Sequence, residues 1–274
     1  MTDSEILFSL NYAVDLEGEP ASGGDDPTKF ARNQFTASTG RPALVTLRRA
    51  GLVDASNDFS GNAEDAIWLY GYAGSLVADI RLEPVGAIWT SDSCSAYYLQ
   101  SITGGTVTVA TGAEWYDACG WYVGAGTAGG LALEPNAQMT AAYLLVDPYS
   151  VGGSSLSLDE GARMAATGGV SLRYDASLAV TGTATNPVTF TSAQASPAPG
   201  DWGGIYLGVG TTASITHATI EYASVGLQLY DDNATITNST VSDSSVYGVA
   251  IGAGVFPYLS GMTYSGNPEN VHYY

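Results

Sequence analysis

A strand-sized phrase returns along this chain about every 22 to 25 positions, and that period limits the fold more than any other feature. Thr106-Val-Thr-Val-Ala-Thr-Gly-Ala, Leu131-Ala-Leu-Glu-Pro-Asn-Ala and Leu156-Ser-Leu-Asp-Glu-Gly-Ala read as three copies, each starting 25 after the one before. Each is an alternating strand, a polar break, then Gly or Asn before Ala. Asn33-Gln-Phe35 and Asn57-Asp-Phe59 lie 24 apart, and Ala43–Leu47 and Ala66–Leu69 follow them as the next strand of each turn. Ile215–Ile220, Ile236–Val241 and Leu259–Tyr264 start 21 and 23 apart, and Gly226-Leu-Gln-Leu and Gly248-Val-Ala-Ile 22 apart. Side chains alternating in and out mark strands with one buried face, and no window offers a capped helical period. A fixed repeat of this length is one coil of a solenoid, which cannot bury its apolar side without the next coil.

The expected fold is therefore all-β: a single right-handed parallel β-helix over residues 1–274, with roughly ten coils of about 22–25 positions each. At a strand spacing of about 4.8 Å that stack would be a rod on the order of 50 Å long. Composition agrees, with 45% hydrophobic residues, 34 Gly and 18 Tyr but only 13% charged residues. Such a chain suits stacked strands and tight turns and lacks the Lys/Glu/Arg faces of helices.

The 27 acidic residues outweigh 8 basic ones, for a net charge of −19, and Lys29 is the only lysine. Nucleic acid is excluded as a partner, because that binding draws on clustered Lys and Arg. Anionic membranes are disfavoured for the same reason. No apolar run is long enough for a transmembrane helix, and the acidic Met1–Glu5 does not open a secretory signal. An exported protein would thus be represented here by a mature fragment; a cytoplasmic protein is the alternative.

Residues Val170–Ser192, followed by Pro199-Gly-Asp-Trp-Gly-Gly-Ile205, resemble the bacterial secreted right-handed parallel β-helix repeat proteins. The resemblance covers residues 105–270 well; before residue 90 it extends only to the Asn-x-Phe and apolar-strand spacings. It implies an extracellular or cell-surface protein, structural or adhesive, and an architecture that in some relatives cleaves or binds polysaccharide.

Several constellations carry chemistry in such a frame. Cys94 and Cys119 lie 25 apart, one coil, so that a disulfide is expected between neighbouring coils, the alternative being two stacked free thiols. Paired carboxylates could serve a hydrolase or lyase; Asp201, Asp231, Asp232 and Asp243 are the candidates. Asp201 in Pro-Gly-Asp-Trp also suits a tight turn closed by Asp, with Trp202 covering the bend. No Gly-His-Gly or Arg-Ile-Lys is present, which argues against a polygalacturonase-like centre. His217 reads as an outward strand residue and His272 as solvated. No cofactor or metal site is expected beyond calcium, for which Asp231-Asp232-Asn233 and Asp54/Asp58/Asp65 offer oxygens. A threonine lattice of the ice-binding kind is refused, because one coil after Thr106-x-Thr108 the chain reads Leu131-Ala-Leu. Aromatics crowd residues 68–122, and outward members would form a strip for sugar rings. Trp68, Tyr70, Trp89, Tyr98, Trp115 and Trp121 are the ligand-binding candidates.

The sequence thus points to a non-catalytic secreted or surface protein that contacts polysaccharide or another surface protein. The competing readings are a polysaccharide hydrolase or lyase, and a segment of a longer spike or filament.

Overall fold

The computed structural model describes residues 5–7, 14–16, 30–36, 38–70, 79–91, 100–102, 104–124, 128–146 and 153–274. Every strand pairing is parallel and joins residues about one repeat apart. Each complete coil contributes a strand to three walls, A, B and C, in chain order. Wall A is an eight-stranded sheet running from Ile80–Leu82 to Tyr258–Ser260. Among the described residues eight three-walled coils therefore stack from Ile80 to Tyr273, slightly fewer than the roughly ten expected. At about 4.8 Å per step they span ~34 Å. Before them wall B continues through Ala66–Tyr70, Ala43–Thr46 and Val14–Leu16, and Glu5–Leu7 pairs with Gln34–Thr36. Here the Asn-x-Phe spacing is realised as stacking, with the Phe35 and Phe59 rings 4.9 Å apart and Asn33 donating its backbone N–H to Asn57 Oδ1 at 3.0 Å. Among the described residues one helical turn, Leu47–Ala50, interrupts the strands.

The core is a set of columns, since a residue pointing inward in one coil sits on its equivalent in the next. On wall B one column runs Ile67, Trp89, Trp115, Met139, Met164, Phe190, Ile220, Val241. On wall A, Val109, Leu133, Leu158, Val180, Ile215 and Ile236 form another. All of these are buried. Burying each aliphatic side chain contributes about 1.5–3 kcal/mol before chain entropy is subtracted.

Two corners of the later coils are single residues in the left-handed region. Between walls A and B these are His217, Asn238 and Gly261; between B and C they are Tyr222, Asp243 and Gly266, with φ between 49° and 68°. Such a residue turns the chain sharply, so the coil needs few residues. Coil 2 lacks the second corner: its strand Glu114–Val123 continues from wall B into wall C across a register shift between Asp117 and Gly120.

The register corrects one expectation. Leu131 pairs with Leu156 as the phrases suggest, but its partner in coil 2 is Val107, and Thr106 lies opposite Gly130. The step from Val107 to Leu131 is thus one position shorter than the step from Leu131 to Leu156, and a slip of one exchanges the two faces of a strand. Thr106 and Thr108 therefore point outward, stacked on Gly130 and Ala132 rather than on leucines. The ground for refusing any threonine ladder fails with it: on wall B, Thr189, Thr219, Thr240 and Thr263 form an outward column four deep. On wall A, Gly130, Ala132 and Ala179 interrupt the hydroxyls.

Candidate functional site

The aromatic-rich stretch behaves otherwise than its composition suggests. Trp89, Trp115 and Trp121 are buried core residues, correcting their assignment to a sugar-binding face. Their parity decides it, because they alternate with outward Ile88, Tyr116 and Tyr122. The Trp115 and Trp121 rings meet edge to face at 4.9 Å, and Trp115 Nε1 donates to Ser91 Oγ at 3.2 Å. Trp68 does point outward, but the Arg41 guanidinium lies 5.2 Å over its ring while Arg41 Nε also bonds Glu64 at 2.8 Å. The Tyr70 side chain, Tyr98 and Cys94 lie outside the described residues, and with Cys94 the expected pairing to Cys119. The register around it is set by Ser91 opposite Asp117 and Gln100 opposite Trp121.

The four candidate carboxylates are placed in corners. Asp201 Oδ2 accepts from Ala198 N–H and from the Ser192 hydroxyl, both at 2.8 Å, while buried Trp202 donates Nε1–H to Glu221 O. Asp231 accepts from the N–H groups of Gly210 and Asn233, and Asp232 from that of Phe256 at 2.6 Å. Asp243 takes φ 53° at the B–C corner. Asp201 and Asp243 thus belong to the B–C side of the coils, and Asp231 and Asp232 to the C–A side. Among the described residues no three His, Cys, Asp or Glu converge as metal ligands. Of the other proposed calcium ligands, Asp58 accepts from Ser60 Oγ at 2.6 Å and Ser60 N–H. Those bonds, the hydroxyl's first, hold its carboxyl below the ordinary value. Asp65 accepts from Asn62 N–H. Asp65 also borders, with Glu114, an open depression of about 430 Å³ beside Ile88 and Gly112.

His217 is no outward strand residue: it occupies the A–B corner at φ 49°, with Nδ1 buried and no hydrogen-bond partner.

An aromatic surface does form, on wall C of coils 4–8. Outward Arg173 holds its guanidinium 5.8 Å from the Tyr206 ring, and the Tyr206 and Tyr230 rings lie 5.3 Å apart. Further along, Tyr247 stacks on His272 at 4.1 Å and 6°, and His272 meets Tyr274 edge-on at 4.9 Å. His272 also faces Glu269 at 3.2 Å. Glycines make this possible. A Cβ on Gly208 would sit 2.9 Å from Tyr206 Cε1, and one on Gly252 2.8 Å from Tyr230 Cδ1, so both rings lie over bare backbone. Burial, then the neighbouring Tyr274 and Tyr206, raise the Tyr230 phenol above its ordinary value, keeping it a neutral hydrogen-bonding hydroxyl. Part of the signal was present in the sequence, in Tyr206-x-Gly208 and in Tyr230 followed one coil on by Gly252, but the alignment of Tyr206 with the later coils was not.

Against known proteins, residues 132–245 match the family model described as pectate-lyase like beta helix domain. That stretch runs from coil 3 into the B–C corner of coil 7. No curated protein and no solved structure matches the chain. Among the described residues no helix is long and apolar enough to cross a membrane.

Proposed function

We propose that this right-handed parallel β-helix repeat protein is an extracellular, non-catalytic polysaccharide-binding protein that takes glycan along wall C of coils 4–8. The observation carrying this reading is the outward path Arg173–Tyr206–Tyr230, continued by Tyr274, His272 and Tyr247. Sugar rings offer C–H faces to aromatic rings and hydroxyls to the phenols between them, the amphipathic contact that Tyr supplies at small entropic cost. The match to a pectate-lyase like domain supports a polysaccharide-related role. Against catalysis stands the corner geometry, in which Asp201, Asp231 and Asp232 spend oxygens on backbone N–H groups.

Binding to insoluble and soluble polysaccharides, run beside reducing-sugar and unsaturated-product assays, tests the reading. Retention without product is expected, and Tyr230→Ala should weaken it about tenfold, the loss of roughly 1.4 kcal/mol of ring contact. Product from any polymer would overturn the non-catalytic assignment, and undiminished binding by Tyr230→Ala would overturn the site. The exported setting further predicts a Cys94–Cys119 bridge: thiol titration of the denatured protein should find no free thiol, and two would remove that support.

A further inference from the structure

The aromatic path runs between two acidic rims. On the C–A side Asp175 lies beside coil 4, and Asp231 and Asp232 beside coil 6. On the B–C side stand Asp201, Glu221 and Asp243, with Glu269 at the start of the last strand. Facing them, the path itself carries one permanent cation, Arg173, whose guanidinium is engaged over Tyr206. The chain as a whole adds a net charge of −19. From this, and resting on the glycan-binding reading above, we infer that the ligand is an uncharged polysaccharide lying along the solenoid axis, and that polyuronates, pectate included, are rejected.

Three physical points lead there. A polyanion laid on the strip would place its carboxylates between two rows of fixed like charges. Such juxtaposition costs several kcal/mol in an interface and also slows encounter. Divalent cations could bridge like charges, but no three acidic or imidazole ligands converge among the described residues. The rim carboxylates are moreover committed to the fold: Asp231 and Asp201 accept backbone N–H groups on both sides of the strip. Neutral hydroxyls meet no such penalty and can accept from the Arg173 guanidinium. The direction follows from the stack. Outward rings on this track lie on coils 5, 6 and 8, so that a chain parallel to the axis meets Tyr206, Tyr230 and Tyr274 in turn, passing Gly252 in coil 7, whereas a chain crossing the wall meets one or two.

Titration calorimetry with neutral β-linked glucan, galactan and xylan oligosaccharides, and with homogalacturonan of matched length with and without calcium, decides the matter. At least one neutral series should bind at least about tenfold more tightly than the polyuronate, and its affinity should climb with chain length before levelling off. The double variant Asp175→Asn, Asp232→Asn should raise polyuronate affinity at least threefold and leave neutral-glycan affinity unchanged. Asn is suited to the left-handed backbone at Asp175 and keeps the oxygen that Asp232 offers Phe256. Polyuronate binding that Tyr206→Ala abolishes would overturn this inference and leave the site standing. Binding to none of the polymers would overturn the glycan reading and this inference with it.

Discussion

Coils 2 and 3 and coils 5 to 7 differ in where their stacked walls put large side chains. In the former Trp115 and Trp121 fill the interior, with Met139 stacked on Trp115. In the latter the wall columns are Val, Leu, Ile, Ala and Phe190, with Trp202 buried in the coil 5 insertion, while Tyr206 and Tyr230 lie outside. Coil geometry accounts for the difference. A strand running unbroken from wall B into wall C, as Glu114–Val123 does, rounds a broad bend and encloses more space than a corner closed by one left-handed residue. On the stacked walls the wider coils take indole and thioether side chains inward to reach native packing density, and the narrower ones are filled there mostly by aliphatics. Aromatic content alone therefore says nothing about a binding face until inward and outward parity is known.

The sharpest way to break this comparison is to truncate one aromatic from each region. Trp115→Ala should destabilise by about 3–5 kcal/mol in urea unfolding, the cost of a large buried cavity. Tyr206→Ala should cost under ~1 kcal/mol while removing glycan binding. Comparable destabilisation by the two would show that the outer rings are structural.

A corner substitution sharpens it further. Gly161 takes φ +70° at the A–B corner, and a Cβ there would strike the Asn136 and Asn186 amides, which bond each other across it at 3.1 Å. Gly161→Ala should cost about 1–3 kcal/mol, part from the left-handed backbone and part from severing that bond. At Asn238, also left-handed at φ 51°, Asn238→Gly removes the backbone strain and should change stability by no more than about 0.5 kcal/mol. Equal effects at the two sites would mean that backbone strain alone governs the corners.

These particular residues also show what the sequence disclosed. The stacking of Leu131 on Leu156, of Ile215 on Ile236 and of Phe35 on Phe59 was legible, because inward aliphatics and aromatics repeat with the coil. Register between coils 2 and 3 was not, since either Thr106 or Val107 can be set opposite Leu131 and only inward packing of Val107 on Leu131 chooses. The aromatic path was hidden for a related reason: coil 5 carries the Ala193–Gly203 insertion, which folds against the next coil through Gly200 N–H to Tyr222 O and Trp202 beside Ala223. That insertion breaks the period just where Tyr206 begins the strip, so its alignment with Gln228 and Ala250 could not be counted off.

The smallest expected effect concerns the wide coils. Arg81 in coil 1 reaches across coil 2 to Glu134 in coil 3, with Nη2 2.6 Å from Oε2, and Thr111 donates to the same oxygen from its N–H and hydroxyl at 3.1 Å. The Arg81 hydrogen bonds, and then the Thr111 N–H, lower the Glu134 carboxyl from 4.5 to about 2. Because the folded value is depressed, the stabilisation is present above the unfolded value near 4.5 and is lost as pH falls through about 2. The side chains remain 43% and 27% exposed, so solvent screens the pair and its worth is about 1 kcal/mol or less. Glu134→Gln should therefore lower stability by that amount at pH 7, and the gap from the parent protein should close between pH 4.5 and 2. Urea midpoints measured across that window check it; a gap that persists at pH 2 would mean that Glu134 acts through packing against Thr111 rather than through its charge.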